Sequence, residues 1–459
     1  MQKTHDIEIL EENIFKNDLL DRKSEIENLT PIVLNFNDPL VLALDSPWGT
    51  GKTTFVKLWQ AHLKKEGKQA IYFNAWETDF AEDPLIVLVS ELDKWVKTKK
   101  NSSLVQKWTE NIGKTLPNIL KRAAVAGTKA ATLGALDLDK QAEGVIADLS
   151  GGIASDLLEQ FNKQSKAIEQ FKEIVEDVLK ILPDEQKNLV IFIDELDRCR
   201  PTYAIELLER IKHLFSIERL VFVLSTDTTQ LSHSICAVYG NDFDAKKYLQ
   251  RFIDLDYSLK ETEKEKYIGI QFEKSGINQD FQNRNPNKND GLRDLTDCFY
   301  LFSKRFDLKL RDINILLMRI RLILYAIPNN HFPNTPLLTS LLILRDKNKE
   351  LYDEYLKSIN SPSITDKVIS FLLQGYLPLK EHDYISASII GYLIAASIDS
   401  EKKDIFNQLI EPYKEEVLNV HKSVIAYAKN PRGSGFYTFN RDSLNLTVER
   451  IELVHRINL

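Results

Sequence analysis

The 459 residues carry 60 basic and 67 acidic side chains, a net charge of -7, with 43% hydrophobic and 28% charged residues. This is the composition of a globular chain able to bury a core, and its length suits about three average domains, while the acidic balance weighs against a protein whose main task is gripping nucleic acid, local basic patches aside. Three cysteines, Cys199, Cys236 and Cys298, lie far apart without paired spacing, which excludes a disulfide framework or a four-ligand zinc site and fits a reducing cytoplasm.

The opening MQKTHDIEILEENIF is charged throughout and lacks the apolar stretch of a signal peptide. No run reaches the roughly 18 apolar residues that a spanning helix needs. The closest, Tyr384 to Ile398, is short, carries serines and reads as a buried core helix. The expected location is therefore cytoplasmic.

The first strand is the apolar run Leu40 to Leu44, ending at Asp45. The loop SPWGTGKTT leads into a helix from Lys52 to about Glu66, which Gly67 stops. A second strand, Gln69 to Phe73, ends at Asn74-Ala75-Trp76. Asp83-Pro84 then opens a helix with Leu85, Leu88, Val89, Leu92 and Val96 at helical spacing. Residues 100–165, rich in Ala, Gly, Ser and Thr, read as a helical insertion.

Order resumes with a helix from about Ser165 to Leu182, halted at Pro183, and the strand Leu189 to Ile193. A helix opened by Pro201, the strand Leu220 to Leu224, a helix over Ala245 to Arg251 and an alternating fifth strand, Phe252 to Leu259, complete the series. Strand and helix alternate, so residues 1–260 are expected to form an α/β, doubly wound, five-stranded parallel sheet. Beyond Lys260 the strand signal fades. Arg311 to Ile327 is amphipathic, and helices are expected at 335–358, 364–376, 384–398 and 401–428. The tail from Gly433 looks like a turn and strand without a clear place.

Two segments carry chemistry. Ser46-Pro47-Trp48-Gly49-Thr50-Gly51-Lys52-Thr53 matches the phosphate-loop pattern G-x-x-x-x-G-K-[ST] except that Ser46 stands where glycine is usual. Backbone N–H groups from Gly49 through Thr53 and Thr54 can wrap an anion at a helix N-terminus, Lys52 can reach the β- and γ-phosphates, and the Thr53 hydroxyl is a hard ligand for Mg²⁺. In LVIFIDELDRCR, a buried strand delivers Asp194 to the carboxyl edge of the sheet, where it can hold Mg²⁺ through its water shell. Glu195 follows, placed to polarise a water against the γ-phosphate, which argues for hydrolysis over passive binding. The 142 residues from Lys52 to Asp194 leave room for a further strand between the two functional ones.

With SPWGTGKTTFVKLW, YFNAWETDFAEDPLIVLVSEL, VIFIDELDRCRPTYAIELLERIKHLF, VFVLSTDTTQLSHSI and KYLQRFIDLDYSL in view, residues 15–327 resemble the KAP P-loop NTPases, additional-strand relatives of the STAND and AAA+ proteins. Trp48, Asn74-Ala75-Trp76 and Asp197-Arg198-Cys199-Arg200-Pro201 carry the likeness beyond a generic phosphate loop. The resemblance implies Mg-ATP as ligand, a nucleotide core at 1–260, an all-α lid at 261–330 and a helical region of unknown role at 331–459. It also implies Asp227 as a polar sensor (or a helix cap), Arg311 as a lid arginine, and Asp21-Arg22 as part of a segment packing on the base. Arg251, just before the fifth strand, resembles an arginine donated to a neighbouring protomer, which would make the chain a homo-oligomer or the partner of another protein. Family members act in bacterial anti-phage defence or as membrane-associated signalling proteins, many with spanning helices where this chain has 100–165; here Lys129 and acidic residues break every apolar run. The competing expectations are a non-hydrolysing nucleotide-binding scaffold and a nucleic-acid-stimulated motor. Cys199 and Cys236 read as small buried hydrophobes, and no histidine spacing suggests a second metal.

Overall fold

The computed structural model describes residues 7–36, 38–81, 83–99, 103–115, 153–183, 188–214, 216–261, 263–284, 290–328, 333–358, 361–377, 379–380, 383–397, 403–414, 419–429 and 441–457. The chain divides into two compact units, Asp6–Glu261 and a second containing Thr262–Leu459.

The first unit is built on strands β1 (Leu40–Asp45), β2 (Gln69–Asn74), β3 (Leu189–Asp194), β4 (Leu220–Thr226) and β5 (Leu255–Ser258). They form one parallel sheet in the order β2-β3-β4-β1-β5. Thus β4 lies between β1 and β3, the two strands that carry the chemical motifs. The apolar runs have a simple cause: both faces of the sheet are covered. In β3, Leu189, Ile191 and Ile193 join one core cluster while Val190 and Phe192 join the other.

The second of these clusters contains α1 (Lys23–Asn35) and α2 (Lys52–Lys65). Trp59 of α2 is fully buried and packs edge-on against Phe192 at 5.3 Å between ring centroids. That contact pins the helix following the phosphate loop to β3, and truncating such a side chain costs about 3–5 kcal/mol. The other cluster contains α3 (Pro84–Lys97), a helix over 103–115 (α4), α5 (Ile153–Ile181), α6 (Pro201–Ile211) and α7 (Thr228–Tyr239). Pro84 and Pro201 each open a helix, and the Asp83 side chain caps α3 through the Leu85 N–H. The first end of the expected insertion is core: Leu104, Trp108 and Ile112 share their cluster with Phe171, Ile174 and Val175 of α5. Its small-residue middle, 116–152, lies outside the described residues.

Several boundaries differ from expectation; α5 begins at Ile153 and not near Ser165. The helix α8 runs Ala245–Leu249, and Phe252 and Ile253 are not strand: both N–H groups turn back to the Leu249 carbonyl. Pairing begins at Asp254, which exchanges hydrogen bonds with Val41, and the strand that follows is a short, exposed edge. The alternation in FIDLDYSL mixed a buried turn residue, Phe252, with an edge strand.

The second unit is helical: α9 (Lys264–Lys274), α10 (Ile277–Arg284), α11 (Asp290–Arg305), α12 (Leu310–Tyr325), α13 (Thr335–Lys347), α14 (Lys349–Lys357), α15 (Pro362–Leu372), α16 (Tyr384–Ala396), α17 (Lys403–Ile410), α18 (Asn419–Lys429) and α19 (Arg441–His455). The expected helix at 335–358 is two, because Asn348 ends α13 and its side chain then caps α14 through the Leu351 N–H. The segment expected as one helix at 401–428 is broken into α17 and α18, and α19 in the tail went unanticipated. The apolar stretch at 384–398 is α16, buried along most of its length. A Cβ on its Gly391 would come within 2.5 Å of the Tyr427 Cβ, so glycine permits the close approach of α18. Among the described residues no helix is long and apolar enough to cross a membrane.

Candidate functional site

At the carboxyl edge of the sheet the register aligns Asn74 with Asp194, Asp194 with Ser225, and Thr226 with Asp45. From Asp45 the chain turns through Ser46–Gly51 into α2. Gly49 and Gly51 hold φ of 79° and 92°, a left-handed backbone that a Cβ would strain, so the loop needs both. The first N–H groups of α2 have no intrahelical acceptor, and the helix dipole there favours an anion.

Lys52 donates to the carbonyls of Ser46 and, at 3.3 Å, Pro47. Burial lowers its pKa, opposed by Asp197, Asp227 and Asp194 in that order. Thr53 and Thr54 follow, half-buried. The serine at the first loop position has a use that glycine lacks. Its hydroxyl accepts from the Leu259 N–H at 3.2 Å, and its own N–H donates to the Thr226 carbonyl at 3.3 Å. The start of the loop is thereby tied to the exits of β4 and β5.

Asp194 is 1% exposed, and its carboxylate accepts from the Tyr72 hydroxyl at 3.1 Å. Burial raises the Tyr72 pKa, so the phenol stays a donor. Glu195 occupies φ 61°, uncommon for a residue with a Cβ. Its carboxylate pairs with Arg198 at 2.8 Å and accepts from the Asn74 amide at 3.4 Å. Burial raises the Glu195 pKa and Arg198 opposes the shift. The Arg198 guanidinium also lies 5.6 Å from the Trp76 ring centroid. Trp48, 44% exposed, donates its indole N–H to Asp197, and Arg200 grips Asp79. The side chains of NAW and DRCR thus meet one another around Glu195.

The loop from Ser46 to Thr54 and the pair Asp194-Glu195 therefore share one edge of the sheet. Thr53 hydroxyl and Asp194 carboxylate are hard oxygen donors that suit Mg²⁺, an ion that retains waters and leans on phosphate oxygens. Among the described residues no three His, Cys, Asp or Glu side chains form a protein-only metal site. Asp227 caps α7, accepting from the N–H groups of Thr229 and Gln230, while standing near enough to Lys52 to raise its pKa. Next to it the hydroxyls of Ser225 and Thr226 are buried without a hydrogen-bond partner among the described residues. Arg251 is exposed, 6.0 Å from the Tyr248 ring centroid, with no carboxylate pairing to it among the described residues. Arg311 opens α12 in the second unit and is exposed. The Cys199 thiol is buried and pushed up to about 12, which makes it inert; Cys236 is half-buried.

Tyr72, Asp197 and Arg198 received no individual role from the sequence, although the last two sit in a motif that stood out. Arg22 was read only as part of a base-packing segment; it is buried and touches the phosphate loop.

The family model described as the KAP family P-loop domain matches residues 22–327. The chain belongs to the KAP family of P-loop NTPases. Nucleotide binding by this KAP domain follows from that membership and from the loop geometry. No curated protein matches the chain. Similar solved structures include a DNA replication initiation factor, 10% identical with a TM-score of 0.31 and 94% of each chain covered. AMPPCP-bound DnaA from Aquifex aeolicus is 11% identical, with a TM-score of 0.28 and 95% of each chain covered. At those scores neither contributes to the assignment.

Proposed function

We propose that the chain is a Mg²⁺-dependent ATPase that works as a nucleotide-driven switch. The observation that carries this reading is the end of β3, where Asp194 and Glu195 are adjacent and share the sheet edge with Lys52, one strand apart. Lys52 would neutralise the β- and γ-phosphates. Thr53 and Asp194 would hold Mg²⁺, which supplies further neutralisation of the phosphate charge when bound. Glu195 would orient a water in line with the γ-phosphorus. The bond to the bridging oxygen breaks as the water oxygen attacks, releasing ADP and phosphate, while the water's proton passes to Glu195 or to a phosphate oxygen. As the output we assign a rearrangement of the helical segment 261–330, with Arg311 as its candidate nucleotide-sensing residue. We extend the reading to a cytoplasmic, oligomeric ATPase in anti-phage defence on family analogy alone; loss of protection by Lys52→Ala in a phage challenge would support it.

A second reading, a nucleotide-binding scaffold that recruits a partner, is favoured by one feature. The Glu195 carboxylate is already engaged by Arg198 and by the Asn74 amide, which restrains its freedom to turn toward a water. Phosphate release from the purified protein separates the two. The ATPase reading expects release that Glu195→Gln abolishes while ATP still binds. Release no faster than that of the variant leaves the scaffold. Unimpaired ATP affinity in Lys52→Ala would remove the phosphate-loop assignment itself.

A further inference from the structure

Arg22, at the head of α1, is 1% exposed and reaches two backbone carbonyls far away in sequence. Its Nη2 donates to the Thr50 carbonyl at 3.2 Å; its Nη1 donates to the Lys260 carbonyl at 2.7 Å and pairs with Glu25 at 2.7 Å. Glu25 in turn accepts from the Tyr257 hydroxyl and the Lys260 N–H, each at 2.9 Å. Anchoring α1 does not require this arrangement, since Ile26, Leu29 and Val33 already bury its apolar side. Resting on the nucleotide-binding reading above, we propose that Arg22 is a positioning residue for the phosphate loop, and that the Arg22–Glu25 pair couples that loop to residues 257–260.

The coupling runs through a peptide plane. A carbonyl and the next residue's N–H belong to one rigid unit and point in opposite directions. Holding the Thr50 carbonyl therefore aims the Gly51 N–H, one of the donors that wrap the anion. The same planar guanidinium holds Lys260, the last residue but one of the first unit. A second tether, from the Ser46 hydroxyl to the Leu259 N–H, joins the start of the loop to the same segment. Residues 257–260 are thus fastened to the loop at its beginning and near its tip. Any shift of the Thr50–Gly51 peptide on phosphate binding moves the guanidinium and, with it, the stretch where the chain leaves the nucleotide unit. A lysine at position 22 can pair with Glu25 but lacks the planar fork that spans both carbonyls.

The test uses the full chain with Mg-ADP as probe and reads ADP affinity, thermal stability and amide hydrogen exchange at residues 255–261. In the wild type, ADP slows exchange at the Leu259 and Lys260 amides. Arg22→Lys binds ADP about tenfold more weakly, the equivalent of one charge-assisted hydrogen bond, and at saturating ADP the slowing is absent. The double variant Arg22→Met/Glu25→Gln, which strands no buried charge, behaves the same way and decides the matter if the single variant does not fold. Wild-type affinity in Arg22→Lys, or slowing retained at saturation in either variant, would overturn the inference. So would ADP binding by the wild type with unchanged exchange at 257–260, which leaves the functional reading intact. A wild type that binds no ADP overturns both.

Discussion

The indole N–H of Trp48 donates to the carboxylate of Asp197, joining the phosphate loop to the turn that follows Asp194 and Glu195. Asp197 is also the first of the carboxylates that support the charge on Lys52. One buried side chain therefore holds the loop in place and compensates its lysine.

Mg-ATP is expected to change the fluorescence of Trp48, which is half in solvent at the rim of the loop. Trp48→Phe should remove most of the change and weaken ATP binding about tenfold, the effect of one lost hydrogen bond to a carboxylate. A titration followed both by fluorescence and by calorimetry checks this; an unaltered signal in the variant would mean that the nucleotide is sensed elsewhere.

Hydrolysis should show an acid limb at higher pH than an ordinary glutamate would give. Burial raises the Glu195 pKa from 4.5, so as pH falls the carboxylate protonates early and can no longer orient water. Arg198 acts the other way, holding the pKa down. Arg198→Gln is therefore expected to move the acid limb to still higher pH, while freeing Glu195 at neutral pH. A limb that stays put in the variant would assign it to another group.

Glu195 should also be a site where stability and activity oppose each other. Its left-handed backbone costs on the order of 1 kcal/mol, which glycine would relieve. Glu195→Gly is expected to raise Tm by about 2–4 °C for a unit of this size and to abolish phosphate release. The sign with pH follows from the raised pKa: the folded state favours the protonated carboxyl, so ionisation costs stability as pH rises through that value. The gain from Glu195→Gly should accordingly be larger at neutral than at acid pH, as differential scanning calorimetry would read directly.

Arg251 is exposed and pairs with no carboxylate among the described residues, so its charge is available to a neighbour. If it serves a second protomer, Arg251→Ala binds ATP normally but hydrolyses it about 10³-fold more slowly, the range of arginine fingers in related hydrolases. Mixing it with Lys52→Ala should restore part of the turnover, since each variant supplies what the other lacks. Full activity of Arg251→Ala alone, or a strict monomer with ATP bound, would sink the idea.

The amino-acid order by itself determined the strands of the sheet, the helix starts at Pro84 and Pro201, and the phosphate-loop and carboxylate segments. Those are local signals, written in five-residue apolar runs and in prolines and glycines whose backbone preferences act where they stand. It did not determine where β5 begins, because Phe252 and Ile253 alternate like strand residues until the turn onto Leu249 claims them. Nor did it assign the partners of the site. Trp48 and Asp197 are 149 residues apart, and Arg22 and Lys260 are 238 apart. A lone serine, tyrosine or arginine looks the same in sequence whether it faces water or closes a loop. Only the packing of the sheet, which brings the ends of β1, β2, β3, β4 and β5 to one edge, gives Ser46, Tyr72 and Arg22 something to hold.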